Sequence, residues 1–154
     1  MHPFFDRVTD RARRAIDLGS DYAKVHKHPL VTRLHILYGI LAEDKNVAVK
    51  VLKNMKINIP KLKSDVIEAM GEGSYKTHYM AVPYNKSVCK LICVAIDSSL
   101  EVKFVACQHL LKAILMDNDD LAVLILNKAG VSLEAFEAQV ESNVKSIESN
   151  KILF

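Results

Sequence analysis

Two histidines are the residues in this chain of 154 amino acids whose placement most invites a chemical role. His35 and His109 lie 74 positions apart, in the similar stretches RLHILYGIL and CQHLLKAIL, so any chemistry would occur twice. Imidazole suits acid–base catalysis and metal binding. However, no aspartate or cysteine follows either histidine at a spacing typical of metal ligands. We therefore favour a structural role, with each histidine half-buried on a helix and hydrogen-bonded locally.

The cysteines and a second group of histidines give weaker signals. Cys89 and Cys93 are four residues apart and share a helix face, but two thiols do not make a zinc site, so we expect them in the core. Cys107 has no base at a readable spacing, which argues against a nucleophile. Residues 26–28, which contain two histidines before Pro29, are expected to form a solvated loop. We predict no metal site and no catalytic residue.

Composition excludes several classes of protein. The formal net charge of +3 is too small to indicate a nucleic-acid partner by itself. No apolar run approaches the roughly 20 residues that span a bilayer, and Asp6 and Arg7 interrupt the stretch where a signal peptide would be apolar. No G-x-x-x-x-G-K-[ST] motif is present, so we expect no ATP site and no cofactor. These features predict a cytoplasmic protein, or its equivalent in an organelle stroma or matrix, with no membrane partner.

The two histidines belong to an internal repeat, which constrains the whole architecture. Residues 71–83 contain two glycines and a proline without a helical period, so they are predicted to link the copies. We predict one domain over residues 1–154, with repeat one at 1–70, the linker at 71–83 and repeat two at 84–149. The identities at the offset of 74 include His35/His109, Leu37/Leu111, Ile40/Ile114, Leu41/Leu115, Ala48/Ala122, Val49/Val123, Leu52/Leu126 and Val66/Val140.

Each repeat is predicted to form four helices. Apolar residues recur at helical spacing, no segment alternates as a strand does, and Gly130 stands where a helix C-terminus favours a left-handed residue. Each helix has an apolar face too small to fold alone, so two units packed face to face would bury both. The predicted fold is an all-α, pseudo-two-fold pair of repeats with about eight helices. The predicted N-caps are Thr9, Thr32, Asn58, Asn85 and Ser132.

These patterns resemble the N-terminal domain of the Clp AAA+ unfoldases, the Clp repeat domain. The family pattern has a helix beginning near a threonine, a stretch like T-E-H-I-L-x-G-L-L, and A-x-x-x-L before a glycine–hydrophobic–polar step. The chain matches it with VTDRARRAI, TRLHILYGIL and NVAVKVLKNMKIN, and again with YNKSVCKLI, CQHLLKAIL and DLAVLILNKAGVS. The resemblance covers residues 4–148 and implies a non-enzymatic chaperone module for protein quality control.

The resemblance implies recruitment of unfolded or tagged substrate proteins, or of adaptor proteins, to a Clp ATPase assembly for disaggregation or proteolysis. An alternative is a stand-alone accessory subunit that docks on the Clp protease or ATPase core. A third reading, a basic module that binds nucleic acid or the ribosome, is disfavoured because no basic–aromatic pattern accompanies the charge. Whether the chain is one domain of a longer protein or stands alone is left open.

The resemblance also implies a binding groove where the two copies meet, near the helix starts. Some members of the protease-linked branch bind phosphoarginine through an acidic residue immediately before each repeated histidine. A carboxylate accepts a guanidinium in bidentate fashion, whereas the leucine and glutamine that occupy these positions here do not. We therefore predict no useful phosphoarginine recognition and a more apolar preference around Leu34. The candidate protein-binding residues are Thr9, Leu34, His35, Asn85, Gln108 and His109.

Basic residues are concentrated near the N-terminus. Arg7, Arg11 and Arg14 fall on neighbouring positions of a helix surface. We favour a solvated face on which they pair with Asp10 and Asp17. Docking to an acidic partner is the alternative.

Overall fold

The computed structural model describes residues 7–75, 82–99, 104–118 and 120–150, with side chains through residue 143. Eight α-helices and no strand lie in these ranges, which confirms the predicted all-α fold. The predicted linker falls partly outside the described residues, as do both ends of the chain. The helices are α1 (Asp10–Val25), α2 (Arg33–Ala42), α3 (Val47–Asn54), α4 (Ile59–Met70), α5 (Lys86–Ser98), α6 (Cys107–Leu115), α7 (Leu121–Lys128) and α8 (Leu133–Asn150).

Short polar side chains start most of the helices, as the sequence predicts. Thr9 Oγ1 accepts a hydrogen bond from the N–H of Ala12 at 3.1 Å, and Asn85 Oδ1 accepts one from the N–H of Val88 at 2.9 Å. Each bond satisfies one of the amide groups that a helix N-terminus leaves without a partner. Gly130, which follows α7, has a φ of 100°, the left-handed conformation predicted for it. Asn58 and Ser132 cap α4 and α8 in the same way.

Helices α2 and α6, which carry the two repeated histidines, lie at the centre of the molecule. They contact each other, and each also packs on helices of both repeats. Ile36, Leu37 and Ile40 on α2 are buried, as are Leu110 and Leu111 on α6. One continuous apolar core therefore joins the repeats, as expected when neither has enough apolar surface to fold alone.

Helices α1 and α2 pack closely, and their contact depends on two glycines. A Cβ atom at Gly39 would lie 1.8 Å from the carbonyl oxygen of Ala15, and one at Gly19 would lie 2.3 Å from the carbonyl oxygen of His35. Repeat two has alanines, Ala95 and Ala113, at the equivalent positions of α5 and α6. The first helix pair is therefore packed more tightly than its counterpart.

Candidate protein-binding site

Two short backbone contacts connect the repeats crosswise at the helix starts. Val8, before α1, pairs with Val105, before α6, and Val31, before α2, pairs with Tyr84, before α5. The N–H of Thr9 donates to the carbonyl of Val105 at 2.9 Å. The first helix of each repeat thus begins beside the second helix of the other repeat.

These crossed contacts divide the six candidate residues between two equivalent places. Thr9 lies at one junction with the start of α6, where Gln108 and His109 follow. At the other junction, the N–H of Asn85 donates to the carbonyl of Val31 at 3.0 Å, at the start of α2. Leu34 and His35 belong to that second junction. We call these the α1/α6 junction and the α5/α2 junction.

Histidine 35 is held in a chain of hydrogen bonds. Its Nδ1 accepts from the backbone N–H of Thr32 at 2.9 Å, so its proton resides on Nε2. That Nε2 lies 2.8 Å from Nδ1 of His28, and Nε2 of His28 lies 2.9 Å from the carbonyl oxygen of Gly71. The directions are consistent only if both imidazoles are neutral. Burial, and then the neighbouring His28, lower the pKa of His35 to about 4.

His109 makes the same local bond in repeat two. Its Nδ1 accepts from the backbone N–H of Ala106 at 2.9 Å, and burial lowers its pKa, with a smaller contribution from Lys112. The expectation that both histidines are hydrogen-bonded locally is confirmed. His35, however, is more deeply buried than expected, at 3% exposure. The repeated histidines therefore stabilise the starts of α2 and α6.

His28 corrects the expectation of a solvated loop at residues 26–28. It is buried, whereas His26 stacks on Tyr22 with ring centroids 3.9 Å apart and lies 2.8 Å from a carboxylate oxygen of Glu72. The segment is therefore held against the residues that follow α4. This contact has no local signal in the sequence, because Gly71 lies 43 residues further along the chain than His28.

Among the six candidates, the side chains of Leu34 and Gln108 make no hydrogen bond that caps a helix in the described structure. Leu34 is half-buried and packs on the edge of the core. Gln108 is half-buried, and its Oε1 has no hydrogen-bond partner in the described part of the chain. The side chains of Thr9 and Asn85, in contrast, already cap their own helices. The structure thus places one apolar and one neutral polar side chain at equivalent positions of the two junctions.

Arg33 is a residue of the α5/α2 junction that the sequence analysis did not select. Its side chain is 4% exposed, and its Nε donates to the hydroxyl and carbonyl oxygens of Ser87 on α5. Its Nη1 lies 3.5 Å from a carboxylate oxygen of Asp117, and its Nε lies 3.6 Å from one of Asp120. One guanidinium therefore ties the start of α2 to two separate parts of repeat two.

At the α1/α6 junction, the basic side chains come from the first helix of a repeat, whereas Arg33 belongs to the second helix. Cys107 occupies the position equivalent to Arg33, and the arginines come instead from α1, where Arg11 and Arg14 lie 3.4 Å and 3.7 Å from the buried carboxylate of Glu43. Burial, and then Glu43, raise the pKa of Cys107 to about 12, so this thiol stays protonated. These arginines therefore pair with Glu43, and the predicted pairing with Asp10 and Asp17 is wrong.

The position of Arg33 leads to a stability prediction. We expect Arg33→Met to lower the free energy of unfolding by about 2 kcal/mol, because a buried, charge-assisted set of hydrogen bonds is lost. Arg11→Met is the matched control. Arg11 is 51% exposed, and we expect a loss below about 1 kcal/mol from its removal. Urea unfolding measures both, and equal losses would contradict the distinction between the two junctions.

The cysteines of α5 correct a second expectation. Cys89 and Cys93 are exposed, and only Cys107 is buried. The buried stripe of α5 is formed by Val88, Leu91 and Ala95. Apolar residues surround most of this helix, so its composition does not identify the buried face.

The described surface has two cavities. One, of about 460 Å³, is lined by residues of α6, α7 and the start of α8. The other, of about 390 Å³, lies between α4 and α7. None of the six candidates lines either cavity. Across the described ranges, no cluster of three metal-ligating side chains occurs, and no helix is long and apolar enough to cross a membrane.

Comparison with known proteins identifies the family. The chain matches the Clp repeat (R) N-terminal domain over residues 7–108 and 93–152. It is 26% identical over 147 residues to the chaperone protein ClpB of Oceanobacillus iheyensis, covering 94% of this chain but only 18% of that relative. It therefore spans less than a fifth of that protein.

Solved structures share the fold. The N-terminal domain of ClpD from Arabidopsis thaliana aligns with a TM-score of 0.73 at 23% identity, over 94% of this chain and 98% of that one. A ClpV N-domain in complex with a VipB peptide aligns with a TM-score of 0.71 at 18% identity, over 90% and 89%. The repeat, the eight helices and these matches agree, and the chain belongs to the Clp repeat N-terminal domain family.

Proposed function

We propose that this chain is a non-catalytic recognition module that recruits substrate proteins or adaptors to a Clp-type ATPase. The observation that carries this proposal is the crossed pairing of helix starts, which forms two equivalent junctions between the repeats. Each junction presents one side chain free of a capping role, Leu34 or Gln108. The peptide bound to the ClpV N-domain supports peptide recognition as a property of this fold.

The chemistry at the junctions favours unfolded segments over a charged tag. Leu34 offers apolar surface, and Gln108 offers the donor group of its amide, because its Oε1 is buried without a hydrogen-bond partner among the described residues. Apolar contact gives affinity with little demand on sequence, which suits a module that receives many unfolded proteins. Binding should be weak, because an open surface buries little area against the entropic cost of association.

Binding can be tested with reduced, carboxymethylated α-lactalbumin, a permanently unfolded polypeptide, by fluorescence anisotropy. We expect Leu34→Ser combined with Gln108→Ala to weaken binding about tenfold, equivalent to about 1.4 kcal/mol. Ile67→Ser, which changes an apolar residue of α4 that is 37% exposed, serves as the control. Unchanged binding in the double variant would place recognition elsewhere on the molecule.

Phosphoarginine provides a second test of the same junctions. We expect no measurable binding of free phosphoarginine in calorimetry, because Leu34 has no acceptor and Gln108 lacks the charge of a carboxylate. The missing charge-assisted bond is worth on the order of 1 kcal/mol or more. Arg33 does not compensate, since its guanidinium is directed at Ser87 and the two aspartates.

The informative variant restores both carboxylates, as Leu34→Glu with Gln108→Glu. A gain of phosphoarginine binding in this variant, with an unchanged circular dichroism spectrum, is the expected result. Tight binding at two sites by the unmodified protein would contradict the prediction. It would show that the carboxylates are not the deciding groups.

The accessory-subunit alternative is distinguished by its partner. An accessory subunit would bind an assembled Clp protease or ATPase directly and would leave carboxymethylated α-lactalbumin unbound. A recruitment module would bind the unfolded polypeptide in the absence of any ATPase. The two binding measurements together therefore separate these functions.

A further inference from the structure

A groove between α4 and α7 has none of the six candidate residues in its lining. Its volume is about 390 Å³, and its lining includes Leu121 and Ile125 of α7 and Ala69 of α4. Leu121 is 49% exposed, and Leu124, one helical turn further along the same side of α7, is 56% exposed. Two exposed leucines on a helix of eight residues form an apolar surface that lacks a partner within the described part of the chain.

The pseudo-two-fold symmetry supplies an internal comparison. The equivalent surface, between α3 and α8, has Lys50 in place of Leu124. Nδ2 of Asn54 donates to Oδ1 of Asn143 at 3.3 Å across this surface, and Val51 is fully buried. Among the side chains that the structure describes, the α3/α8 surface is therefore the more polar of the two, and the α4/α7 surface is the more apolar.

Charges of both signs border the α4/α7 groove. Asp65 and Glu68 lie on the α4 side, and Lys128 lies on the α7 side. Asp65 is paired with Lys61 at 3.5 Å, whereas Glu68 and Lys128 make no ion pair with the residues described here. A surface of one sign would repel a copy of itself, whereas an apolar centre with an acid on one side and a base on the other is self-complementary.

We propose that the α4/α7 groove is the contact surface for a second copy of this chain. The two copies pack through their exposed leucines about a two-fold axis, and Glu68 of each copy faces Lys128 of the other. Isologous contacts of this kind place the same patch on both subunits, so each ion pair occurs twice. The surface is small, so the dimer is weak and becomes visible only at high protein concentration.

Sedimentation equilibrium of the full chain, from about 5 to 500 µM, tests the proposal. Concentration-dependent dimerisation is expected for the unmodified protein. Leu124→Lys, which gives α7 the residue that α3 has at the equivalent position, should weaken the association at least tenfold. Val25→Lys is the control, because Val25 is an exposed apolar residue at the end of α1, 73% exposed, and should leave the association unchanged.

Exchanging the charges of Glu68 and Lys128 tests whether these two residues face each other across the two-fold axis. Glu68→Lys and Lys128→Glu should each weaken dimerisation several-fold, whereas the double variant should recover most of the original association. Recovered dimerisation in the double variant would show that residues 68 and 128 of opposite copies are in contact. A chain that remains monomeric at 500 µM would overturn the proposal, as would a dimer that Leu124→Lys leaves intact. A double variant that is weaker than both single variants would also overturn it.

Discussion

Replacing Gly39 by alanine is expected to destabilise the fold by about 4 kcal/mol or more, a large part of the roughly 5–15 kcal/mol by which domains are stable. The added Cβ would lie 1.8 Å from the carbonyl oxygen of Ala15 and 3.1 Å from the backbone nitrogen of Gly19. Backbone atoms cannot rotate away as a side chain does. Helices α1 and α2 would have to separate, which disturbs their whole interface.

The direction of this effect opposes intrinsic helix propensity. On an isolated helix, glycine to alanine stabilises by about 1 kcal/mol. The structure predicts the reverse sign at Gly39 because the close approach of two backbones outweighs the propensity. A loss of stability in Gly39→Ala would therefore show that Gly39 serves the packing of α1 on α2, whereas a gain would show that helix propensity dominates.

Repeat two provides the matched control. Ala113, the counterpart of Gly39, is 2% exposed, and Ala113→Gly should cost only about 1–2 kcal/mol through helix propensity and the loss of one buried methyl group. Urea unfolding followed by circular dichroism measures both variants. A Gly39→Ala protein as stable as the unmodified one would show that α1 and α2 do not approach as described.

Acidification from about pH 6.5 to pH 4 is expected to remove about 3 kcal/mol of stability through His35 alone. This histidine titrates near 6.5 in the unfolded chain and at about 4 in the folded one. Between these values the unfolded state binds a proton that the folded state excludes. The contribution of His35 to the free energy of unfolding is therefore fully present above about pH 6.5, and it is lost as the pH decreases towards 4.

The hydrogen bonds explain why the folded state excludes this proton. Protonated His35 would present an N–H at Nδ1 to the N–H of Thr32, and its charge would face His28, which is itself buried. Tyr22, whose ring centroid lies 6.4 Å from that of His35, supplies no negative charge near neutral pH, because burial and then Glu72 raise its pKa. No carboxylate contacts His35 among the described hydrogen bonds.

His35→Gln isolates this contribution. Glutamine can accept a backbone N–H through its amide oxygen but does not titrate, so the variant should lose less stability than the unmodified protein between pH 7 and pH 4. Titrating groups that do not contact His35 are common to both proteins and cancel in the comparison. Parallel losses of stability across this range would show that His35 is protonated equally in the folded and unfolded states.

Local signals in the sequence predicted most of the secondary structure. Thr9, Asn85 and Ser132 are followed at once by residues of helical period, and a cap acts only on the next turn. The repeat at an offset of 74 predicted two similar units because it aligns apolar positions over several helices. The predicted repeat boundaries, and the roles of the six candidates in binding, remain predictions.

Contacts between distant segments are the part that the sequence did not reveal. The role of Arg33 has no local sequence signal, because its partners Asp117 and Asp120 lie more than 80 residues further along the chain. His28 was misjudged for the same reason. Such pairs bring together residues with no common periodicity, and only the folded arrangement shows which charges are buried together.

The crossed pairing at the helix starts has a consequence for how the junctions can be lost. Val8 pairs with Val105, and Val31 pairs with Tyr84, so each junction is built from both halves of the chain. Unfolding or proteolytic removal of either half therefore abolishes both junctions together. Covalent linkage also makes assembly of the halves intramolecular, so the junctions form at any dilution, unlike those of two separate repeats that must meet by diffusion.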